Sequence, residues 1–270
     1  MNTSATYTYK HPRATIASDI VVFGYDGYQL HILLIERGVE PYKGMWALPG
    51  GFMLMDETIE ECARRELREE TSVSGAYLRQ FDVFSDIHRD PRGRVVTVAF
   101  LALVSKADYH LLAGDDASRA EWFVHDELPP LAFDHNKIIN EGLKHLRDLI
   151  ATRPVVLHLL DKRFSIAELQ RLVETITGEE YDRRNFQRRL IHSNLLRPEG
   201  TESDSGSRPA TLYSVRPEVY DDSDDDFCES QNCMSCKPEP KGSLPDNDIE
   251  SMQGKRLSRA MREGLNFFKF

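Results

Sequence analysis

A chain of 270 residues with 40% hydrophobic content has room for two modest domains and suits folding in water. No apolar run approaches the roughly 18 residues that a membrane span needs, and the opening MNTSATYTYKHPR lacks the apolar centre of a signal peptide, so a cytoplasmic chain with no membrane partner is expected. A formal net charge of −10 argues against indiscriminate nucleic-acid binding by the whole molecule, although local patches count for more than the sum. Of the four cysteines, three are bunched near the end, which is no disulfide framework.

Residues 1–13 read as a flexible start. Residues 14–23 follow as a strand carrying Ile16, Ile20, Val21 and Val22. An Asp26-Gly27 turn leads to the apolar run 30–35, so a hairpin is expected. Trp46 reads as a packing residue under the next loop, with base stacking as the alternative. The glycine pair Gly50-Gly51 then precedes Glu57 and Thr58-Ile59-Glu60-Glu61, whose Thr-x-x-Glu form is a capping box that opens a helix. At 3.6 residues per turn, Ile59, Cys62, Ala63, Glu66, Glu69, Glu70 and Val73 share one stripe, apolar at its start and acidic at its end. Glu60 with Arg64 and Glu61 with Arg65 suit surface pairs four residues apart. Glu66, Glu69 and Glu70 do not, because like charges so close repel unless protonated or neutralised. A divalent cation held by a few carboxylates neutralises them, with a carbonyl of the glycine pair, assigned to Gly50, completing the shell. Residues 76–87 and 94–104 read as two further strands joined by the turn-rich His88-Arg89-Asp90-Pro91-Arg92-Gly93. Residues 122–124 make a short strand, and Asp134 caps a helix to about Ile150.

Pro154 marks a change of pattern and divides a first domain, 14–152, from a second, 153–218. Ser165-Ile166-Ala167-Glu168 is a second capping box, and its helix ends at Gly178. Asp182 caps the helix RRNFQRRLIHSNLL, with Phe186, Leu190 and Ile191 inward and Arg183, Arg184, Arg188 and Arg189 outward. No acid occurs from Arg183 to Pro198. A polar loop and the strand-like run from Arg208 to Tyr213 complete a winged helix-turn-helix, in which the basic helix and Arg208 meet DNA. The plainer reading of these arginines is a solvated amphipathic face. From 219 to 270 the acidic, Ser- and Pro-rich composition predicts a disordered tail. Cys228-x4-Cys233-x2-Cys236 has the spacing of three iron–sulfur ligands but no fourth, so a metal role is the lesser reading. Residues 255–270 read as a frayed end or a basic amphipathic helix.

The run Gly51-x5-Glu57-x7-Arg65-Glu66-Leu67-x-Glu69-Glu70-x-Ser72-Val73 resembles the Nudix box, with Ser72 where a glycine is expected. The resemblance implies an α/β fold, the Nudix αβα sandwich with a mixed sheet. It also implies a loop that holds Mg²⁺ or Mn²⁺ through Glu66, Glu69 and Glu70, braced by Glu57 and Arg65, with Gly51 as a structural loop residue. Ser72 weakens the left-handed helix end and removes no ligand. The implied chemistry is cleavage of a phosphoanhydride in a nucleoside-diphosphate-linked ligand, a nucleotide sugar or dinucleotide such as ADP-ribose. The general base is unassigned: Glu69 or Glu70 first, then Asp115, Asp116 and Glu121. His88 and Arg89 are candidate phosphate contacts; Arg89, Arg92 and Arg94 read equally as a solvated basic edge. The segment from Leu128 to His135 also resembles bacterial Nudix members. Together with the second domain, the chain is similar to Nudix-related transcriptional regulators of NAD and sugar metabolism, which implies a homodimer that releases its DNA operator on binding a metabolite. Three readings stand open: a magnesium-dependent pyrophosphatase, a regulator with little or no hydrolysis, and a winged helix that serves only dimerisation or protein binding.

Overall fold

The computed structural model describes residues 10–105, 119–202 and 210–216. In chain order these form β1 (Thr15–Tyr25), β2 (Leu30–Glu36), β3 (Trp46–Ala47), β4 (Gly50–Phe52), α1 (Ile59–Thr71), β5 (Tyr77–Phe84), β6 (Val95–Val104), β7 (Ala120–Val124) and α2 (His135–Thr152). After a 3-10 turn over Pro154–Leu159 come β8 (Phe164–Ser165), α3 (Ile166–Thr177), α4 (Arg183–His192), β9 (Leu196–Glu202) and β10 (Ala210–Val215).

Strand β1 is the spine of the first domain because both its edges and both its faces are covered. One edge runs parallel to β6 from Thr15↔Val95 to Gly24↔Val104. The other edge is shared, antiparallel to β4 at Ala17–Asp19 and to β2 at Val22–Tyr25. With β5 on β6, and β3 and β7 on β2, a seven-stranded mixed sheet results. Successive side chains of a strand point to opposite faces. Ile20 and Val22, with Phe100 and Ala102 of β6, therefore pack against Ala63 and Leu67 of α1. Val21, Phe23, Leu101 and Leu103 face the other way, toward Ile138, Ile139 and Leu146 of α2. This is the αβα sandwich, and the near-continuous apolar run of β1 is what a strand buried on both faces requires.

Local chemistry sets the element ends. In the β1–β2 hairpin Asp26 Oδ1 accepts from the Tyr28 and Gln29 N–H groups, both at 2.8 Å, while Gly27 takes φ 101°. Both halves of the Thr58/Glu61 capping box are present at α1, and Ser72 closes the helix in the left-handed conformation at φ 58°. Strand β5 stops at Phe84, short of the expected 87, because Asp86 Oδ1 accepts from the His88 N–H and turns the chain. Asp134 stands at the start of α2 but its side chain makes no capping bond; it is drawn instead into an ion pair with Arg89.

In the second half Ser165 and Glu168 form the expected capping box, Gly178 ends α3 at φ 74°, and Asp182 Oδ1 accepts from the Asn185 N–H at 2.9 Å. Strands β8, β10 and β9 make a three-stranded sheet beside α3 and α4, a winged helix. Phe186 and Leu190 are buried as expected, but Ile191 is 53% exposed: one further residue turns it about 100° away from the Leu190 face. The two halves do not have separate interiors. One apolar cluster runs from Phe23, Leu30 and Ile32 of the sheet through Val156 and Leu159 of the 3-10 turn to Leu169, Leu172 and Phe186. Arg147 Nε of α2 donates to the Ile176 carbonyl of α3 at 2.8 Å across the same junction. Among the described residues no helix is long and apolar enough to cross a membrane. Arg208, Asp115, Asp116, the three tail cysteines and the whole of 219–270 lie outside the described residues.

Candidate functional site

The glycine pair is required because β4 is pressed on two sides, Gly51 by helix α1 and Gly50 by the backbone of β1. A Cβ on Gly51 would stand 2.2 Å from Glu66 Oε1, and one on Gly50 would stand 2.2 Å from the Ser18 carbonyl oxygen. Gly50, at φ 156°, gives its N–H to Glu70 Oε2 at 2.8 Å. Two carboxylates four residues apart are thus pressed onto one short strand. Burial raises the pKa of both: Glu66 moves up despite Arg65, and Glu70 is pushed up to about 8, with the charges of Glu66 and Asp19 adding to the effect. Carboxyl groups held this way are neutral or share a cation.

Arg65 binds the loop to the helix. Its Nε and Nη2 donate to the two oxygens of Glu57 at 3.0 and 2.7 Å, and Nη2 also reaches the Phe52 carbonyl at 3.2 Å. Its Nη1 donates to Glu66 at 2.7 Å and Glu69 at 3.2 Å. The Arg65 guanidinium, helped by the Leu54 N–H, holds the Glu57 carboxyl at about 2.

Behind the glycine pair is a second buried charge cluster. Arg89 donates to Asp19 Oδ2 at 3.0 Å and grips Asp134 through Nε and Nη2 at 3.2 and 2.8 Å. His135 Nδ1 accepts from the Leu48 N–H at 2.8 Å, which leaves the proton on Nε2, 3.6 Å from Asp19 Oδ1. Burial lowers the His135 pKa and favours the neutral ring. The cluster ties β1, the β5–β6 loop, the β3–β4 loop and the start of α2 to one point beside Gly50.

A cationic and aromatic corner lies in front. The Arg37 and Arg92 guanidinium groups stand 4.8 and 5.5 Å from the centre of the Phe133 ring, and Arg92 stands 4.8 Å from that of Phe52. In the second half of the chain α4 exposes Arg183, Arg184, Arg188 and Arg189, while Phe186 and Leu190 hold its other side to the core.

Residues 14–142 match the NUDIX domain family, and residues 156–215 match the NrtR DNA-binding winged helix domain. The chain is 33% identical over 215 residues to a protein of Acinetobacter baylyi named ADPR responsive transcriptional repressor NtrR, covering 78% of this chain and 86% of the relative. The chain belongs to the NrtR-type Nudix family. A crystal structure of Shewanella oneidensis NrtR complexed with a 27mer DNA is similar at TM-score 0.66 and 32% identity, over 76% of this chain and 94% of that one. An ADP-ribose pyrophosphatase of Methanocaldococcus jannaschii is 46% identical over 113 residues, 42% of this chain and 66% of the relative.

In this NrtR-type chain the box residues are brought together in part. Glu66 and Glu70 converge under Gly50-Gly51, whereas Glu69, 54% exposed at its side chain, turns outward to Arg65. The spacing explains it: from Glu66, four residues bring Glu70 about 40° past the same line on a helix and three leave Glu69 about 60° short of it, so the two fall on opposite flanks. Among the described residues no three carboxylate, histidine or cysteine groups already converge on one metal position. Arg65 pairs with Glu57, Glu66 and Glu69 and not with Glu61, which is occupied in the capping box. Glu121, a candidate base, lies on β7 paired with Arg119. Arg89 is 8% exposed and spent on Asp19 and Asp134, so it is neither a phosphate contact nor a solvated edge. Arg92 is paired with Asp90, and Arg94 donates to the Ser85 and Asp86 carbonyls. Trp46 is a packing residue, edge-to-face with Phe123 at 4.7 Å. Asp19, Arg37, Tyr42 and Phe133 were not expected at the site from the sequence. The signal nearest them was the segment from Leu128 to His135.

Proposed function

We propose that this chain is a DNA-binding regulator whose Nudix domain takes ADP-ribose, or a closely similar nucleoside-diphosphate-linked ligand, and whose operator affinity falls when that ligand binds. The observation that carries the reading is the exposed arginine face of α4, built on a core that continues without a break into the sheet bearing Glu66 and Glu70. The naming of the Acinetobacter relative, similar over both domains, supports it. On this reading the chain acts in the cytoplasm as a homodimer, since paired recognition helices suit a palindromic site.

The ligand site fits a divalent cation by its donor chemistry: half-buried Glu66 and Glu70 lie side by side, and among the described residues Glu70 has only the Gly50 N–H as a hydrogen-bond partner. Glu66, Glu69 and Glu70, with the backbone of Gly50, would hold Mg²⁺ or Mn²⁺, Glu69 after leaving Arg65. When bound, the ion neutralises the ligand's diphosphate and activates water for hydrolysis. Arg65 keeps the Glu57 loop closed on α1 and fixes the direction of Glu66. Arg183, Arg184, Arg188 and Arg189, together with Arg208, meet the DNA.

The test is fluorescence anisotropy of the full chain with a labelled duplex from upstream of its own gene, against a scrambled duplex. Selective binding that ADP-ribose and Mg²⁺ reverse is expected; equal binding to both duplexes would remove the regulator reading. Hydrolysis is the second reading, favoured by the complete set of box carboxylates and by the identity to the Methanocaldococcus pyrophosphatase. It requires Mg²⁺-dependent release of AMP from ADP-ribose that Glu70→Gln abolishes. A wild-type chain that binds ADP-ribose without turnover leaves the sensor alone standing.

A further inference from the structure

Strand β5 is an outer edge of the seven-stranded sheet: among the described residues it borders only β6. An edge strand presents a row of amide and carbonyl groups that another strand can take up. Val83 is 47% exposed there, and its N–H donates to Asp82 Oδ1 at 2.7 Å, a bond within the strand itself. A bulge interrupts β5. Gln80 stands opposite Phe100 and Asp82 opposite Ala99, so Phe81 is the extra residue.

The bulge changes which residues share a face. Before it, Tyr77 and Arg79 stand opposite Leu103 and Leu101, on the α2 side of the sheet. Leu78 and Gln80 stand opposite Ala102 and Phe100, on the α1 side. After it the order reverses: Asp82 and Phe84 take the α2 side and Val83, opposite Val98, the α1 side. Arg79 and Asp82 both act electrostatically on His145 of α2, as residues of one face should.

Bulges and charges usually blunt an edge. Here they fit it to its own copy. Two antiparallel copies of one strand, related by a two-fold axis normal to the sheet, must set residues of the same face opposite each other. In β5 the register that does so places Tyr77 against Phe84, Leu78 against Val83 and Arg79 against Asp82. Only the central Gln80 and Phe81 mismatch. The Leu78 contact covers the exposed Val83, and the opposite-charge pair occurs twice. A slip of one residue either way sets Leu78 against Asp82 or Phe84, which lie on the other face. A slip of two that keeps the faces sets Arg79 against Phe84 and loses the charge pair.

We propose that β5 is the surface through which two copies of this chain join, edge to edge, with Arg79 of each against the partner's Asp82. The assignment rests on the homodimer reading above and names the face that makes it. The experiment is sedimentation velocity of the full chain over a concentration series, with circular dichroism to check folding. The wild type is expected to sediment as a dimer. Arg79→Asp and Asp82→Arg each set like charges opposite one another at two places, and each is expected to raise the dimer dissociation constant by about 10- to 100-fold. Mixing the two variants in equal amounts is expected to restore the dimer, because a strand acidic at both positions then meets one basic at both. An ion pair inside one chain is not repaired by mixing, so a mixture that stays as weak as its parts overturns the proposal. A dimer joined elsewhere, or a β5 edge covered by another segment of the same chain, leaves both variants as dimeric as the wild type; that result sinks the edge and keeps the homodimer. Should a charge variant fail to fold, Val83→Lys at its exposed position carries the same test, and a dimer of wild-type strength overturns the edge. A wild type that is monomeric at every concentration, with or without operator duplex, sinks both.

Discussion

A methyl group on Gly51 would push the Glu66 carboxyl aside, the movable end of a flexible side chain. Gly51→Ala is expected to destabilise the chain by up to about 1 kcal/mol, the low end of the cost of overpacking, measured by urea unfolding. Pairing it with Glu66→Ala should recover most of that loss, because the strain belongs to the contact and not to the backbone. Glu57 contributes to the acid side of the pH dependence. Its folded pKa, about 2, is depressed below the ordinary 4.5 by Arg65, so its stabilising effect is complete above about pH 4.5 and fades as pH falls toward 2. The melting temperatures of wild type and Glu57→Gln should therefore differ most near neutral pH and converge through that acid window. Arg89→Met leaves the buried Asp19 and the half-buried Asp134 without their cation and should cost about 3 kcal/mol by the same unfolding assay. The box residues were legible in the sequence because a helix makes their spacing meaningful. The Arg89 cluster was not: its members lie 45 and 70 residues apart, and only the folded sheet brings them together.

At the scale of elements the sequence spoke most clearly through end signals. The two capping boxes, the Asp26-Gly27 turn and Gly178 all act within a few residues of themselves, and each appears where its residues stand. Asp134 failed as a cap because a distant arginine outcompeted the local amide, which no local pattern records. Ser72 is the clearest departure from the box, and it carries the left-handed helix end in spite of its Cβ. Ser72→Gly is expected to raise stability by up to about 1 kcal/mol, the relief of that steric cost, read as a higher melting temperature. Helix α4 invites an electrostatic test. Replacing Arg188 and Arg189 together with alanine should weaken operator and scrambled DNA alike, and flatten the dependence of log K on log salt by about 1 for each phosphate no longer neutralised. Loss of sequence preference with an unchanged salt slope would mean that these two read bases instead.

The molecule as a whole is less divisible than its sequence. Pro154 and the change of pattern after it suggest a joint, yet the apolar interior passes straight through that point, because Val156 and Leu159 of the 3-10 turn are buried on both sides. Both tryptophans, Trp46 and Trp122, belong to the first domain, so their fluorescence reports on it alone. Leu169→Ala, a cavity in the second domain, should lower the tryptophan-detected unfolding midpoint in step with a loss of about 2–5 kcal/mol. An unchanged midpoint would mean that the halves unfold independently. The arginine face of α4 has a last consequence. On a chain with a formal charge of −10 it is an island, so an approaching polyanion repels most orientations and draws in one. The molecule is aimed before it touches.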